Sequence, residues 1–162
     1  MTSIDCSYSI KGSGPAIVFV HGIGARKTAW NKVCKYLEKD FTCVCYDLRG
    51  HGDSSKGMLP YSLEALVDDV ESLRQKLGIQ KIHIVGHSLG GMIGPAYALS
   101  FPENVVLCAK KSHLFWVTDL QSDINAMKMD KIAANREDMF LKSVMSIGAH
   151  VGNQKFNVLY VG

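Results

Sequence analysis

The chain has 162 residues, of which 47% are hydrophobic and 20% are charged, and its formal net charge at pH 7 is +3. This length and composition predict one globular domain with a sizeable core and argue against a disordered or fibrous chain. The charge is spread without a basic block, which argues against binding to nucleic acid or to a membrane surface.

The N-terminal residues and the cysteines predict a cytoplasmic protein. MTSIDCSYSIKGSG (1–14) lacks the long apolar stretch of a secretory signal, and the longest apolar run, 16–20, is too short to span a bilayer. No cysteine spacing fits a zinc site, so reduced buried thiols are expected, and no metal or organic cofactor is implied. The five cysteines are Cys6, Cys34, Cys43, Cys45 and Cys108.

Apolar segments alternate with helical patterns along the first two thirds of the chain. Strands are predicted at residues 16–20, 42–46, 81–85 and 105–109, and helices at 28–38, 62–77 and 89–100. Ser62 is a good N-cap and Gly78 a good C-terminal stop for the second helix, whereas Pro95 is expected to disturb the third. The alternation predicts an α/β fold with a mostly parallel sheet flanked by helices. A short edge strand at 8–10 is predicted to pair antiparallel.

The segment GHSLG (86–90) joins the third predicted strand to the helix that follows. A sharp strand-to-helix turn strains its central residue and brings backbone so close that only small residues fit at Gly86 and Gly90. The helix N-terminus then faces the surroundings of Ser88, and the backbone N–H of Leu89 can help bind an oxyanion. The pattern predicts a nucleophilic serine. A glycine-rich turn that binds phosphate, or that only packs tightly, is the alternative.

Three stretches together resemble the α/β-hydrolase family: VFVHGIG (18–24), YDLRGHGDS (46–54) and IVGHSLGG (84–91). They occur in the family's order, and the chain is similar to the small esterase and enol-lactonase group that includes 3-oxoadipate enol-lactonase. The resemblance implies a single domain over 1–162, well matched over 1–104. The remainder, 105–162, is divergent or shortened, so the fold is expected to be incomplete and to lack the usual helical cap.

The resemblance also implies roles for residues in these stretches. Ser88 would be the nucleophile, and the backbone N–H of Ile23 would join that of Leu89 in the oxyanion hole. His21 would shape its loop and would not act as the base. A serine at this turn, where haloalkane dehalogenases place aspartate, favours acyl chemistry.

The loop DLRGHGDS is structural in the family. Asp47, Arg49 and His51 are therefore expected to hydrogen-bond within turns.

A serine nucleophile needs a histidine base that a carboxylate orients. In the family both follow the nucleophile, with the acid first. Asp119 and Asp123 follow a strand-like segment, 114–118, and His150 ends the strand-like run MFLKSVMSIGAH (139–150). The resemblance implies that His150 is the base and that Asp119 or Asp123 is the acid. Ordinary turn or cap roles are the alternatives for all three.

The predicted strands at 105–109 and 114–118 conflict with a simple parallel order. Only residues 110–113 separate them, whereas a parallel crossover needs roughly a dozen residues or more. Either one strand is absent, or the two form a hairpin, or the chain has been altered here.

Two functions follow from these observations. The first is a serine hydrolase that acts on a small-molecule carboxylic ester or lactone through an acyl-enzyme intermediate. The alternative is a non-catalytic or fragmentary remnant that lacks a working triad. A nucleotide-binding module is disfavoured because the glycine-rich turn lacks both G-x-G-x-x-G and a Walker-type lysine. No nucleic-acid or membrane partner is expected, and the oligomeric state is left open.

Overall fold

The computed structural model describes residues 5–57, 61–111 and 157–161. The strands are β1 (Tyr8–Lys11), β2 (Ala16–Val20), β3 (Thr42–Tyr46), β4 (Ile82–His87), β5 (Val105–Lys111) and β6 (Asn157–Val161). The α-helices are α1 (Asn31–Leu37), α2 (Leu63–Lys76) and α3 (Gly90–Ser100), and short 3₁₀ turns lie at Lys27–Trp30 and Pro102–Asn104. Over these described residues, no helix reaches the length and apolarity needed to cross a membrane.

The six strands form one sheet in the order β1-β3-β2-β4-β5-β6. Only β1 runs antiparallel to its neighbour, β3, and the other four pairings are parallel. This arrangement confirms the α/β fold class and the antiparallel edge strand. All five residues of β2 are buried, as expected for a central strand that is covered on both faces.

The second half of the sheet departs from the prediction. β5 confirms the strand predicted at 105–109, and it pairs with β4 on one side and with β6 on the other. In the sequence, residues 112–156 separate β5 from β6, and this number of residues is ample for a parallel crossover. β6 was not predicted from the sequence. The strands predicted within 114–118 and 139–150 lie outside the described residues.

The helices follow their predicted ranges with one difference. The helix predicted at 28–38 begins as the 3₁₀ turn Lys27–Trp30 and becomes α-helical only from Asn31. The second helix begins where predicted, since the Ser62 hydroxyl accepts a hydrogen bond from the backbone N–H of Ala65 at 3.2 Å. α3 runs through Pro95 without ending.

Apolar side chains pack on both faces of the sheet. One face carries α2 and α3, and its buried residues include Val18, Val20, Val44, Ile84, Leu66, Val70, Ile93 and Tyr97. The other face carries α1, and its buried residues include Ile17, Phe19, Cys43, Cys45, Val85, Trp30, Cys34 and Leu37. The alternation along each strand therefore divides one sheet between two cores.

Glu71 links the two helices on the first face. Its carboxylate accepts hydrogen bonds from the Arg74 guanidinium at 2.7 and 2.8 Å, from Gln75 at 2.7 Å and from the Tyr97 hydroxyl at 2.7 Å. The Arg74 hydrogen bonds, joined by those of Tyr97 and Gln75, outweigh burial and lower the pKa of Glu71 to about 2. Because Tyr97 lies on α3, this carboxylate fixes α3 to α2.

Glu71→Gln is expected to lower the stability at neutral pH and to remove part of its acid dependence. The folded pKa lies below the ordinary value of 4.5, so the stabilisation is complete above about pH 4.5 and is lost as the pH falls towards 2. The shift corresponds to roughly 3 kcal/mol. Urea unfolding of both proteins from pH 7 to pH 2.5 measures the difference. The difference in free energy of unfolding between wild type and Glu71→Gln should shrink on acidification. Glu103→Gln, at an exposed position, should not differ from the wild type. A difference for Glu71→Gln that stays constant with pH would contradict the prediction.

Candidate active site

Ser88 lies in the turn between β4 and α3. Its φ is +54°, and among the described residues it is the one non-glycine residue with a positive φ. A left-handed backbone at a residue with a Cβ costs of order 1–3 kcal/mol and persists only where the surroundings enforce it. The half-buried side chain of Ser88 therefore sits in a strained strand-to-helix turn of the kind that the sequence predicted.

Gly86 and Gly90 enforce this turn because backbone passes directly over each of them. A Cβ at Gly86 would overlap the carbonyl oxygen of Gly90, and a Cβ at Gly90 would overlap the carbonyl oxygen of Val20. The end of β4, the start of α3 and the end of β2 thus meet without space for side chains. This close approach confirms the steric reason given for the two glycines.

Gly86→Ala is expected to open this turn and to destabilise the protein by about 2–3 kcal/mol, since the added methyl meets backbone that cannot rotate away. Gly78→Ala is the matched control. Gly78 has a φ of +65°, and apart from its chain neighbours no described residue comes within 4 Å of an added Cβ, so Gly78→Ala should cost only about 1 kcal/mol. Urea unfolding compares the two, and an equal loss would show that the packing over Gly86 is not tight.

The loop that leaves β2, residues 21–26, lies against Ser88. A Cβ added to Gly22 would be 2.9 Å from the Ser88 Cβ and 3.4 Å from its Oγ. The neighbouring Ile23 has a side chain that is 77% exposed. Leu89 follows Ser88 at the start of α3, whose first hydrogen bond runs from the Gly91 N–H to the Ser88 carbonyl at 2.8 Å. The fold therefore brings Ser88, Leu89 and the segment Gly22–Ile23 together at the carboxyl ends of the neighbouring strands β2 and β4.

His21 is fully engaged in holding this β2 exit loop (21–26). Its buried ring accepts a hydrogen bond at Nε2 from the backbone N–H of Leu48, at 3.0 Å. The proton must then lie on Nδ1, which donates to the Gly22 carbonyl at 2.8 Å. Burial lowers the pKa of His21, which favours this neutral form. The ring has no nitrogen left for proton transfer, in agreement with the loop-shaping role that the resemblance implied.

Asp47 binds the other end of the same loop. Its buried carboxylate accepts from the backbone N–H of Lys27 at 2.6 Å, from the Lys27 ammonium at 2.7 Å and from the backbone N–H of Asp53 at 3.1 Å. Burial acts to raise the pKa of Asp47, but these hydrogen bonds outweigh it and the pKa is lowered. The loop that leaves β3, residues 47–54, therefore holds the β2 exit loop at both ends.

Arg49 departs from its predicted role. Its guanidinium reaches out of the β3 exit loop (47–54) and forms two hydrogen bonds with Asp69 on α2, at 2.6 and 2.7 Å, and one with the Ala65 carbonyl at 3.0 Å. The expectation that Arg49 bonds within its own turn is wrong, because its guanidinium pairs with the buried carboxylate of Asp69 on α2. His51 does bond locally, from Nδ1 to the Arg49 carbonyl oxygen at 3.1 Å.

His150, Asp119 and Asp123 lie outside the described residues, so their roles as base and acid remain predictions. In the described part of the chain, no group of three or more His, Cys, Asp or Glu side chains is arranged to hold a metal ion.

Sequence reasoning missed two residues that hold the site together, Lys27 and Asp69. Both act across twenty positions of sequence, on Asp47 and Arg49 respectively. A single lysine after a loop and a single aspartate within a helix give no periodic signal. The need for these partners becomes evident only once the structure shows that Asp47 and Arg49 are buried, because a buried charge requires a partner.

Comparison with known proteins agrees with this geometry. A family model described as the alpha/beta hydrolase fold matches residues 15–133. Fluoroacetate dehalogenase from Burkholderia sp. is 38% identical over 105 residues, which are 62% of this chain and 34% of that protein. 3-oxoadipate enol-lactonase 2 from Acinetobacter baylyi is 36% identical over 89 residues, which are 55% of this chain and 33% of that protein.

Solved structures give the same result. The crystal structure of a hydrolase from Pseudomonas aeruginosa superimposes with a TM-score of 0.66 and 29% sequence identity. The superposition covers 75% of this chain and 47% of the Pseudomonas hydrolase. The chain thus spans about a third of the length of the two curated relatives. Residues 15–133, which the family model matches, contain the turn at Ser88 and both exit loops.

Proposed function

The chain belongs to the alpha/beta hydrolase fold family, and from that premise we propose that it is a serine hydrolase of a small carboxylic ester or lactone. The observation that carries this proposal is the strained conformation of Ser88 against Gly22. A serine that only packed would not need a left-handed backbone held by close backbone contacts at Gly86 and Gly90. Strain of this kind concentrates at functional sites.

In the proposed reaction, the Ser88 Oγ attacks the carbonyl carbon of the substrate as its proton passes to a base. His150 is the proposed base, and Asp119 or Asp123 would hold its ring in the required tautomer. The leaving alcohol takes the proton from the base, and an acyl-Ser88 ester remains. Water then attacks the acyl-enzyme with the same base and frees the carboxylic acid. For a lactone, the leaving alcohol stays attached to the acyl group.

The oxyanion that forms in each step would accept hydrogen bonds from the backbone N–H groups of Leu89 and Ile23. The position of Leu89 at the start of α3 supports this role, since the helix dipole favours negative charge there. The contact of Gly22 with Ser88 supports the role of Ile23, the next residue along the loop. Each such donor contributes about 10²–10³ in rate when it is placed in advance.

Small-molecule substrates are supported by two of the relatives, a fluoroacetate dehalogenase and a 3-oxoadipate enol-lactonase. Serine at the turn supports acyl transfer within that range, because a hydroxyl nucleophile forms an ester with an acyl group. A cytoplasmic location stays a prediction from the sequence.

The test is reaction of the purified chain with p-nitrophenyl acetate and with a fluorophosphonate. We expect a burst of p-nitrophenol equal to the enzyme concentration, followed by slower turnover, and one fluorophosphonate adduct that maps to Ser88 by peptide mass spectrometry. The remnant without a working triad predicts the opposite outcome. A cooperatively folded chain with neither burst nor adduct would exclude the hydrolase.

A further inference from the structure

We propose that Lys27 is a positioning residue, which fixes the β2 exit loop to Asp47 and so holds the backbone N–H of Ile23 beside Ser88. The inference rests on the proposed function for its effect on rate. The fixing of the loop itself rests only on hydrogen bonds and burial.

The β2 exit loop joins the end of β2 to the 3₁₀ turn that begins at Lys27. Its first residues are held by His21, and the Ala25 N–H donates to the Gly22 carbonyl at 3.2 Å to close a turn. Gly24 within that turn has a φ of +74°. The N–H of Ile23 therefore lies inside a tight turn, and the far side of that turn needs a second attachment.

Lys27 supplies the second attachment through two groups. Its backbone N–H donates to Oδ1 of Asp47 at 2.6 Å and its ammonium donates to Oδ2 at 2.7 Å. The Asp47 carboxylate thus accepts hydrogen bonds from both the main chain and the side chain of Lys27. Two bonds from one residue fix the direction of the loop as well as its distance from the β3 exit loop.

Asp47 is a rigid point of attachment. Its side chain is 1% exposed, and a Cβ at Gly52 would overlap its carboxylate, so the β3 exit loop packs directly on it. The Asp53 N–H holds Oδ2 as well, at 3.1 Å. Because this carboxylate is held in place, the groups that donate hydrogen bonds to it are held in place as well.

The charge of Lys27 is required at this point. Among the described residues, Lys27 is the one lysine or arginine paired with Asp47. Its ammonium also meets the Asp53 carboxylate at 2.9 Å and the Ser7 hydroxyl at 2.9 Å. Without it, a buried carboxylate would lack a cation, and the loop would move away or admit water.

A displaced loop would weaken the oxyanion site more than it weakens substrate binding. Hydrogen bonds to an oxyanion depend on the donor position to within about 0.5 Å, whereas the neutral carbonyl of a bound ester depends on it less. Loss of Lys27 should therefore lower kcat and leave KM nearly unchanged. A residue that served stability alone would not produce that division.

The experiment compares Lys27→Met, Lys27→Arg and the control Lys76→Met in the full chain. Lys76 forms an exposed ion pair with Asp5, and its side chain takes no part in the hydrogen bonds to Asp47 described above. Three measurements are made: the kinetics of p-nitrophenyl acetate hydrolysis (kcat and KM), inhibition by a trifluoromethyl ketone that forms a tetrahedral oxyanion on serine, and amide hydrogen exchange of residues 22–26. Thermal melts confirm that each variant is folded at the assay temperature.

For Lys27→Met we expect kcat to fall about 10- to 100-fold, KM to change less than about threefold, and ketone affinity to fall with kcat. Exchange of residues 22–26 should accelerate. Lys27→Arg should recover most of each quantity, and Lys76→Met should match the wild type. Unchanged exchange in folded Lys27→Met overturns the inference whether or not the wild type is active. A loss confined to KM overturns its catalytic part.

The two proposals fail in different ways. A wild type without Ser88-dependent turnover overturns the proposed function, together with the effect of Lys27 on rate. Exchange of residues 22–26 in Lys27→Met then still decides whether Lys27 fixes the loop. An active wild type with an equally active, folded Lys27→Met overturns only the inference about Lys27.

Discussion

Replacement of Ser88 by alanine is expected to lower kcat/KM for p-nitrophenyl acetate by about 10³-fold or more, to the background of spontaneous hydrolysis. The burst and the fluorophosphonate adduct should disappear with it. The reason is that the acyl-enzyme cannot form without the Ser88 oxygen, and water in the empty space lacks the fixed approach to the carbonyl.

The strain at Ser88 gives this prediction a structural control. Alanine keeps the Cβ that opposes a φ of +54°, whereas glycine adopts that conformation freely. Ser88→Gly should therefore be inactive and at least as stable as Ser88→Ala in urea unfolding. Inactive variants that remain folded separate loss of the nucleophile from loss of the fold.

Ser100→Ala is the matched serine control, because Ser100 is exposed at the far end of α3, the helix that follows Ser88. It should retain the full burst. If Ser88→Ala kept more than about a tenth of the turnover, the hydrolysis would have another nucleophile and the proposed reaction would be wrong.

The parts of the fold that the sequence predicted well are those with a periodic apolar pattern. The apolar run AIVFV forms a central strand, in which all five residues are buried. The apolar stripe along residues 62–77 forms α2, which Ser62 caps. The turn at Ser88 was predictable because steric demand at Gly86 and Gly90 leaves few alternatives.

Other features depend on contacts that local sequence does not encode. The helix predicted from residue 28 starts at Asn31, since the chain just before it is held by Asp47 at Lys27. β6 is a short apolar segment whose role depends on the free edge of β5. The pairing of Arg49 with Asp69 depends on tertiary geometry, which no spacing in the chain reveals.

Of the candidate site, the sequence predicted the strained turn at Ser88 and the loop-shaping role of His21. It did not predict that Lys27 and Asp47 attach the neighbouring loop. The base and the acid, His150 with Asp119 or Asp123, remain predictions that lie outside the described residues.

The second large effect is expected on stability, at the buried pair of Arg49 and Asp69. Asp69→Ala should lower the free energy of unfolding by about 3–5 kcal/mol, because it leaves the guanidinium buried without its counterion. Both side chains are almost fully buried, at 3% and 0% exposed, and the hydrogen bonds to Asp69 raise the pKa of Arg49. A guanidinium keeps its proton throughout the pH range of such measurements, so Arg49 stays charged when its partner is removed. A loss of this size is a large part of the 5–15 kcal/mol typical of a domain.

A double variant distinguishes the cost of an unpaired charge from the value of the pair. Arg49→Met with Asp69→Leu replaces both partners by apolar side chains of comparable size, and it should recover most of the loss seen in Asp69→Ala. Lys76→Ala is the matched control for an exposed pair, and its urea midpoint should stay close to that of the wild type.

The same variants connect stability to the candidate site. Arg49 lies in the β3 exit loop between Asp47 and Asp53, whose backbone N–H donates to the Asp47 carboxylate. Because Asp47 holds Lys27, an unpaired Arg49 should also loosen the β2 exit loop. Asp69→Ala, measured at a temperature where it remains folded, should then accelerate amide exchange at residues 22–26. Urea unfolding gives the stability, and exchange gives the link. A stable Asp69→Ala would mean that water or another group replaces the carboxylate, and the buried pair would not be what holds α2 to this loop.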